Sequence, residues 1–138
     1  MSEATTAISI PQLRADLDGS VMAPGEPGYD EGRMVFYGGI DRRPAAIVRA
    51  ANTDDVSRVI ALARETGIEL AIRSGGHSIP GHSTTDGGIV LDLRDLNGLE
   101  IDVQGRTAWV GGGVTTGRYT KAAAEHSLAT PFGDTGSV

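Results

Sequence analysis

Twelve of the 20 glycines lie between Gly67 and Gly117, and seven of those twelve fall in three runs: Gly75-Gly76, Gly87-Gly88 and Gly111-Gly112-Gly113. Glycine costs about 0.5–1 kcal/mol relative to alanine inside a helix or strand, so evolution of such runs marks special places. There the backbone turns in ways other residues resist, or it comes close to a ligand. Elements in this stretch must therefore be short and joined by glycine-rich loops.

The segments between the glycines fit that picture. Ala45 to Arg49 is a short apolar run and predicts a strand. Thr53 or Asp54 is placed to cap a helix, with Asp54 and Asp55 at its positive end. Val56, Val59, Ile60 and Ala63 then recur at helical spacing, and Gly67 supplies the stop. Ile68 to Ile72 predicts a second strand with Ile68, Leu70 and Ile72 on one face. Gly88 to Leu93 predicts a buried strand. Leu99 to Val103 and Thr107 to Val110 flank Gln104-Gly105 and predict a hairpin that holds Trp109 in the core. Thr115 or Thr116 starts a helix running to about His126, with Tyr119, Ala122 and Ala123 inward. His126 then falls at that helix's C-terminal end, as a partner for the dipole or a packed side chain.

Upstream, residues 1–40 read as a leader with a short helix around Leu13 to Leu17 and a Pro/Gly loop from Ala23 to Gly28. The domain itself is expected over 41–138. The tail from Thr130 to Val138 is a loop with no element after it. We therefore expect the domain to be incomplete at its C-terminus. No internal repeat or low-complexity tract is visible.

Composition narrows the function. A net charge of −6 argues against nucleic acid or an anionic membrane as the main partner. No apolar run approaches the roughly 20 residues of a membrane span, and Met1-Ser2-Glu3-Ala4 begins no secretory signal. A cytoplasmic protein is the expectation. With no Cys, disulfides and thiolate metal sites are excluded.

The motif that carries chemistry is Arg73-Ser74-Gly75-Gly76-His77-Ser78, followed closely by Pro80-Gly81-His82-Ser83. It stands directly after a predicted strand. Successive glycines let consecutive backbone N–H groups face one anion, and Ser74, Ser78 and Ser83 add hydroxyls. A pyrophosphate would suit such a cradle. The pattern is neither GxGxxG nor a P-loop, and no helix follows at once. On spacing alone, a surface turn rich in Gly and Ser remains equally open. A metal set of His77, His82 and Asp86 is not expected, because its spacing is set by a flexible loop. Arg94 and Asp95, near a turn, read as a solvated pair, and strand faces account for Asp92 and Asp102.

In this order the motifs resemble those of the FAD-linked oxidases with a PCMH-type, vanillyl-alcohol-oxidase-like FAD-binding domain. The berberine-bridge-enzyme-like and 6-hydroxy-D-nicotine-oxidase-like group is the nearest in pattern. The resemblance runs from about Arg43-Pro44 to Val138. It includes Asp86-Gly87-Gly88-Ile89-Val90-Leu91-Asp92-Leu93, Val110-Gly111-Gly112-Gly113-Val114 and Thr130-Pro131-Phe132-Gly133. It implies an α+β fold and FAD as cofactor, bound covalently through His77 at the flavin 8α-methyl.

Neutral imidazole, with a pKa near 6.5, is the nucleophile such a bond needs. The resemblance further implies cofactor contacts from Arg73, Ser74, Gly75, Gly76, Ser78, Gly81, His82, Gly113, Thr135 and Gly136. Some relatives use a second attachment through Cys. Thr135 falls near that position, so a single attachment is implied. The activity implied is hydride transfer from a small-molecule substrate to the flavin, with O2 as the expected electron acceptor. The alternatives are a stand-alone flavin- or nucleotide-binding module and an inactive fragment. Substrate and oligomeric state are not legible.

Overall fold

The structure, a computed structural model, describes residues 8–138. A four-stranded sheet forms the centre, in the order β1-β2-β4-β3. β2 (Ala46–Arg49), β4 (Ile89–Asp92) and β3 (Leu70–Arg73) run parallel, and β1 (Ser20–Met22) pairs antiparallel with β2. The helix α3 (Thr53–Thr66) connects β2 to β3 across the position that β4 fills. A separate two-stranded hairpin, β5 (Leu99–Asp102) and β6 (Thr107–Val110), precedes the helix α4 (Thr116–Ala124).

Both faces of the sheet are covered, which is why β2 and β4 read as continuous apolar runs rather than alternating ones. On one face α1 (Ile10–Asp16) and α3 bury Leu13, Leu17 and Val59 against Val21, Val48, Ile89 and Leu91. On the other, the short helix α2 (Tyr29–Arg33) places Tyr29 against Ile47, Ala71 and Val90. The Tyr29 hydroxyl donates to the Pro44 carbonyl at 2.6 Å. Leu91 sits fully buried on the central strand. Leu91→Ala is expected to cost about 2–5 kcal/mol of unfolding free energy, measured by urea denaturation.

The segment read as a leader contributes β1 to the sheet and Leu13, Leu17, Val21 and Tyr29 to the core. Neither β1 nor α2 had shown in the sequence, because three- and five-residue elements are too short for periodicity to register.

Several local expectations need correction. Asn52, one residue earlier than expected, caps α3: its side chain accepts from the Asp55 N–H at 2.9 Å. Gly67 does end that helix, in the left-handed region at φ 71°. Ile60, read as inward, is 41% exposed. Its position on the α3 helix lies at the edge of the apolar stripe, which Val56, Val59, Leu62 and Ala63 already fill. Ile72 is likewise half-exposed, because it sits on the edge strand at its open side.

Trp109 is 84% exposed rather than core. The β5-β6 hairpin stands outside the main sheet, and no described element covers its outer face. Arg94 and Asp95 are not a pair: Arg94 binds the buried Asp92 carboxylate at 2.7 Å, and Asp95 binds Arg49 at 2.7 Å. His126 is exposed, just past the end of α4. No helix among the described residues is long and apolar enough to cross a membrane.

Candidate flavin-binding site

The C-terminal edge of the three parallel strands carries a row of charge. Arg49, Asp92 and Arg73 lie side by side in register, at the ends of β2, β4 and β3. Ligands of open α/β sheets collect at this edge. The glycine-rich loop leaves from it, directly after Arg73.

In that loop the backbone N–H groups of Gly75, Gly76, His77, Ser78 and Ile79 have no protein acceptor among the described residues. Five successive free donors on one turn are what an anionic oxygen cluster needs. Gly76 takes φ 75°, a left-handed conformation that turns the chain and that L side chains rarely adopt. Gly75 is tight for a different reason. A Cβ there would stand 2.6 Å from the Ser137 carbonyl oxygen. The loop therefore needs both glycines, one for its backbone angle and one for the close approach of the tail.

The remaining candidates divide into those that gather at the loop and those that support it. Ser74 donates its hydroxyl proton to the Gly112 carbonyl at 2.6 Å, so it ties the loop to the glycine run before α4. Ser78 accepts from the His82 N–H at 3.0 Å and keeps its own hydroxyl proton free. The His77 ring lies 3.0 Å, through Nε2, from the Ser137 hydroxyl. It also stacks on Phe36, with ring centroids 4.1 Å apart and planes at 25°.

Arg73 runs beneath the loop instead of out to solvent. Its guanidinium binds the Gly32 carbonyl on α2, and its Nε has no partner. Burial lowers its pKa, the Asp92 carboxylate opposes that shift, and Arg94 adds to it. A Cβ on Gly76 would stand 3.4 Å from this Nε, so the cation lies against Gly76.

Gly81, at φ 81°, is buried against Ile40 and further along the loop, where Arg42 binds the Gly81 and Thr84 carbonyls at 2.9 and 3.0 Å. His82 is exposed. Ser83, Thr84 and Thr85 are buried with hydroxyls that find no protein partner. Gly113 packs against the turn after β4: a Cβ would meet the Leu93 carbonyl at 2.1 Å, and its N–H donates to the Leu96 carbonyl at 3.0 Å. Thr135 and Gly136 use their carbonyls on α4, accepting from the Thr116 hydroxyl and the Gly117 N–H, both at 2.8 Å. That contact satisfies part of the helix's open first turn and brings the tail beside the loop. Among the described residues, no three His, Asp or Glu side chains converge enough to hold a metal ion.

Phe36 escaped the sequence reading, and Ser137 was not singled out within its tail loop. They lie 41 and 60 residues from His77, and no spacing rule joins them. The residues fit a bound dinucleotide: five free N–H donors, a half-buried guanidinium against Gly76, and the orphaned hydroxyls of Ser83, Thr84 and Thr85 further along the same loop.

Comparison with known proteins agrees. A family model described as FAD binding domain matches residues 44–138. The chain is 40% identical over 117 residues to (R)-6-hydroxynicotine oxidase of Paenarthrobacter nicotinovorans, covering 85% of this chain and 26% of that protein. It is 42% identical over 84 residues to berberine bridge enzyme-like 14 of Arabidopsis thaliana, covering 59% of this chain and 16% of that one. The crystal structure of 6-hydroxy-D-nicotine oxidase from Arthrobacter nicotinovorans superposes with a TM-score of 0.77 at 40% identity, over 80% of this chain and 24% of that structure. The chain thus spans about a quarter of the length of (R)-6-hydroxynicotine oxidase. With the α+β sheet, the glycine-rich loop after β3 and the family match in agreement, the chain belongs to the FAD-binding domain family of the FAD-linked oxidoreductases.

Proposed function

We propose that this chain is the FAD-binding portion of a flavin-dependent oxidase that holds FAD covalently through His77. The observation that carries the reading is the run of five free backbone N–H groups from Gly75 to Ile79, with the imidazole of His77 among them. In this reading the N–H groups hold the pyrophosphate, and the half-buried Arg73 guanidinium beside Gly76 adds positive charge. The Ser78 hydroxyl adds a donor. Ser74, Gly81, His82, Gly113, Thr135 and Gly136 shape the loop and its neighbours.

His77 would hold the group as a tether. Its ring would give up a proton to form an N–C bond to the 8α carbon, which would give up another, with dioxygen taking the two electrons. Once bound, FAD supplies the redox chemistry, taking hydride from a small organic substrate, and the chain orients it. Dioxygen as the acceptor in turnover fits the oxidase names among the relatives.

The test is a denaturing intact mass, with an absorbance spectrum, on the protein expressed from its complete gene. One covalent FAD, with yellow colour that survives denaturation, is the expected result. FAD that binds but is released on denaturation would leave a non-covalent flavoprotein. No flavin at all would overturn the reading and leave a nucleotide-binding module or an inactive domain.

A further inference from the structure

We propose that Phe36 is a positioning residue for His77: its ring fixes the plane of the imidazole that bonds the flavin. The inference rests on the covalent reading above and extends it to a residue outside the loop.

Phe36 touches the loop twice. Its backbone N–H donates to the Gly76 carbonyl at 3.1 Å, and its ring stacks on His77 at 4.1 Å and 25°. Tyr37 meets the Phe36 ring edge-on, with centroids 5.2 Å apart and planes at 86°. The segment itself is anchored one turn earlier, where Arg73 binds the Gly32 carbonyl. Ser137 adds the second restraint, holding Nε2 at 3.0 Å. The stack sets the tilt of the imidazole, and the Ser137 contact sets its rotation within that plane. Nδ1 is left as the ring nitrogen without a protein partner among the described residues.

Phe36 has little other work. Its side chain belongs to neither core cluster, and the residue is 57% exposed. Apolar burial does not explain an aromatic ring held there, whereas a stacked contact with the His77 imidazole does. A ring held within a narrow range of orientations reaches the reactive geometry more often than a free one, and that raises the rate of bond formation. In that step the imidazole gives up its proton for the N–C bond, the 8α carbon gives up another, and dioxygen takes the two electrons. Phe36 takes no part in the electron balance.

The experiment uses the protein from its complete gene, prepared without flavin, as wild type, Phe36→Ala, Phe36→Leu, Phe36→Tyr and His77→Ala. FAD is added, and the covalent fraction is followed by flavin fluorescence in denaturing gels. FAD affinity at early times and a thermal melt are recorded on the same samples. The expected result is a covalent rate slowed about tenfold in Ala and Leu, near the scale of one lost aromatic contact, and restored in Tyr. FAD affinity and melting temperature stay close to wild type. A wild-type rate in Phe36→Ala would overturn the proposal. So would a loss of rate matched by loss of FAD affinity or of the folded state, because Phe36 would then be structural. If Leu proves as good as Phe, the ring has no orienting role and the proposal is also overturned. A wild-type protein that never becomes fluorescent in the gel removes the covalent reading, and this inference with it; His77→Ala supplies that baseline.

Discussion

His77→Ala is expected to abolish flavin that survives denaturation while leaving FAD able to bind reversibly. The side chain supplies the tether, but the five N–H donors from Gly75 to Ile79 belong to the backbone and persist in the variant. Folding is expected to change little. The His77 ring is half-buried, and alanine removes one stack and one hydrogen bond to Ser137. Together these contribute about 1 kcal/mol. Denaturing mass and absorbance read the tether, and fluorescence titration with free FAD reads the cradle. Loss of reversible binding as well would mean that the imidazole, not the backbone, holds the cofactor.

The largest effect on stability is expected far from that loop, at Asp55. Its carboxylate is fully buried at the start of α3. It accepts from three backbone N–H groups: Asp18 at 2.9 Å, Gly19 at 2.8 Å and Ala51 at 2.9 Å. One side chain thus ties the turn before β1 to the turn after β2. The fit is close, for a Cβ on Gly19 would stand 2.0 Å from the Arg49 carbonyl oxygen. Asp55→Ala leaves three donors without an acceptor, and unsatisfied buried groups cost about 1–3 kcal/mol each. Some water will reach them, so a total of about 3–5 kcal/mol is expected from urea denaturation at neutral pH.

The same group adds a pH dependence. Burial pushes the Asp55 carboxyl up, but the N–H groups of Ala51, Asp18 and Gly19, with help from Arg58, more than reverse this and hold it below its ordinary value. A carboxyl with a lowered pKa stabilises the fold above its unfolded pKa of about 3.9 and loses that contribution as pH falls through the lower folded value. The stability difference between wild type and Asp55→Ala is therefore expected to shrink below about pH 4. An equal difference at pH 7 and pH 3 would show that the carboxylate charge is not what holds the two turns.

How much of this was legible beforehand follows from range. The strands β2, β4, β5 and β6, the body of α3 and its Gly67 stop, and the Thr115 cap of α4 all rest on neighbours within four residues or on runs of apolar side chains. Local chemistry decides these, so spacing reveals them. The glycine loop was equally visible because consecutive glycines have few other uses. Misreadings concentrated where partners are distant. Trp109 reads as core only if something covers the hairpin, and Asp95 reads as a partner of Arg94 only until the sheet brings Arg49, 46 residues away, into reach.

The sequence alone determined most of the regular segments, where the chain can turn, and that His77 sits in a glycine-rich loop directly after a strand, because each depends on bonds and sterics within a few residues. Only the tertiary structure decided what surrounds that histidine. Phe36 comes from the segment after α2, Ser137 from the tail held on α4, and Arg73 turns under the loop to reach Gly32. These contacts join residues 41 to 60 apart, and they form because the parallel sheet ends its strands at one edge. No local pattern encodes that meeting; the packing of both faces of the sheet imposes it.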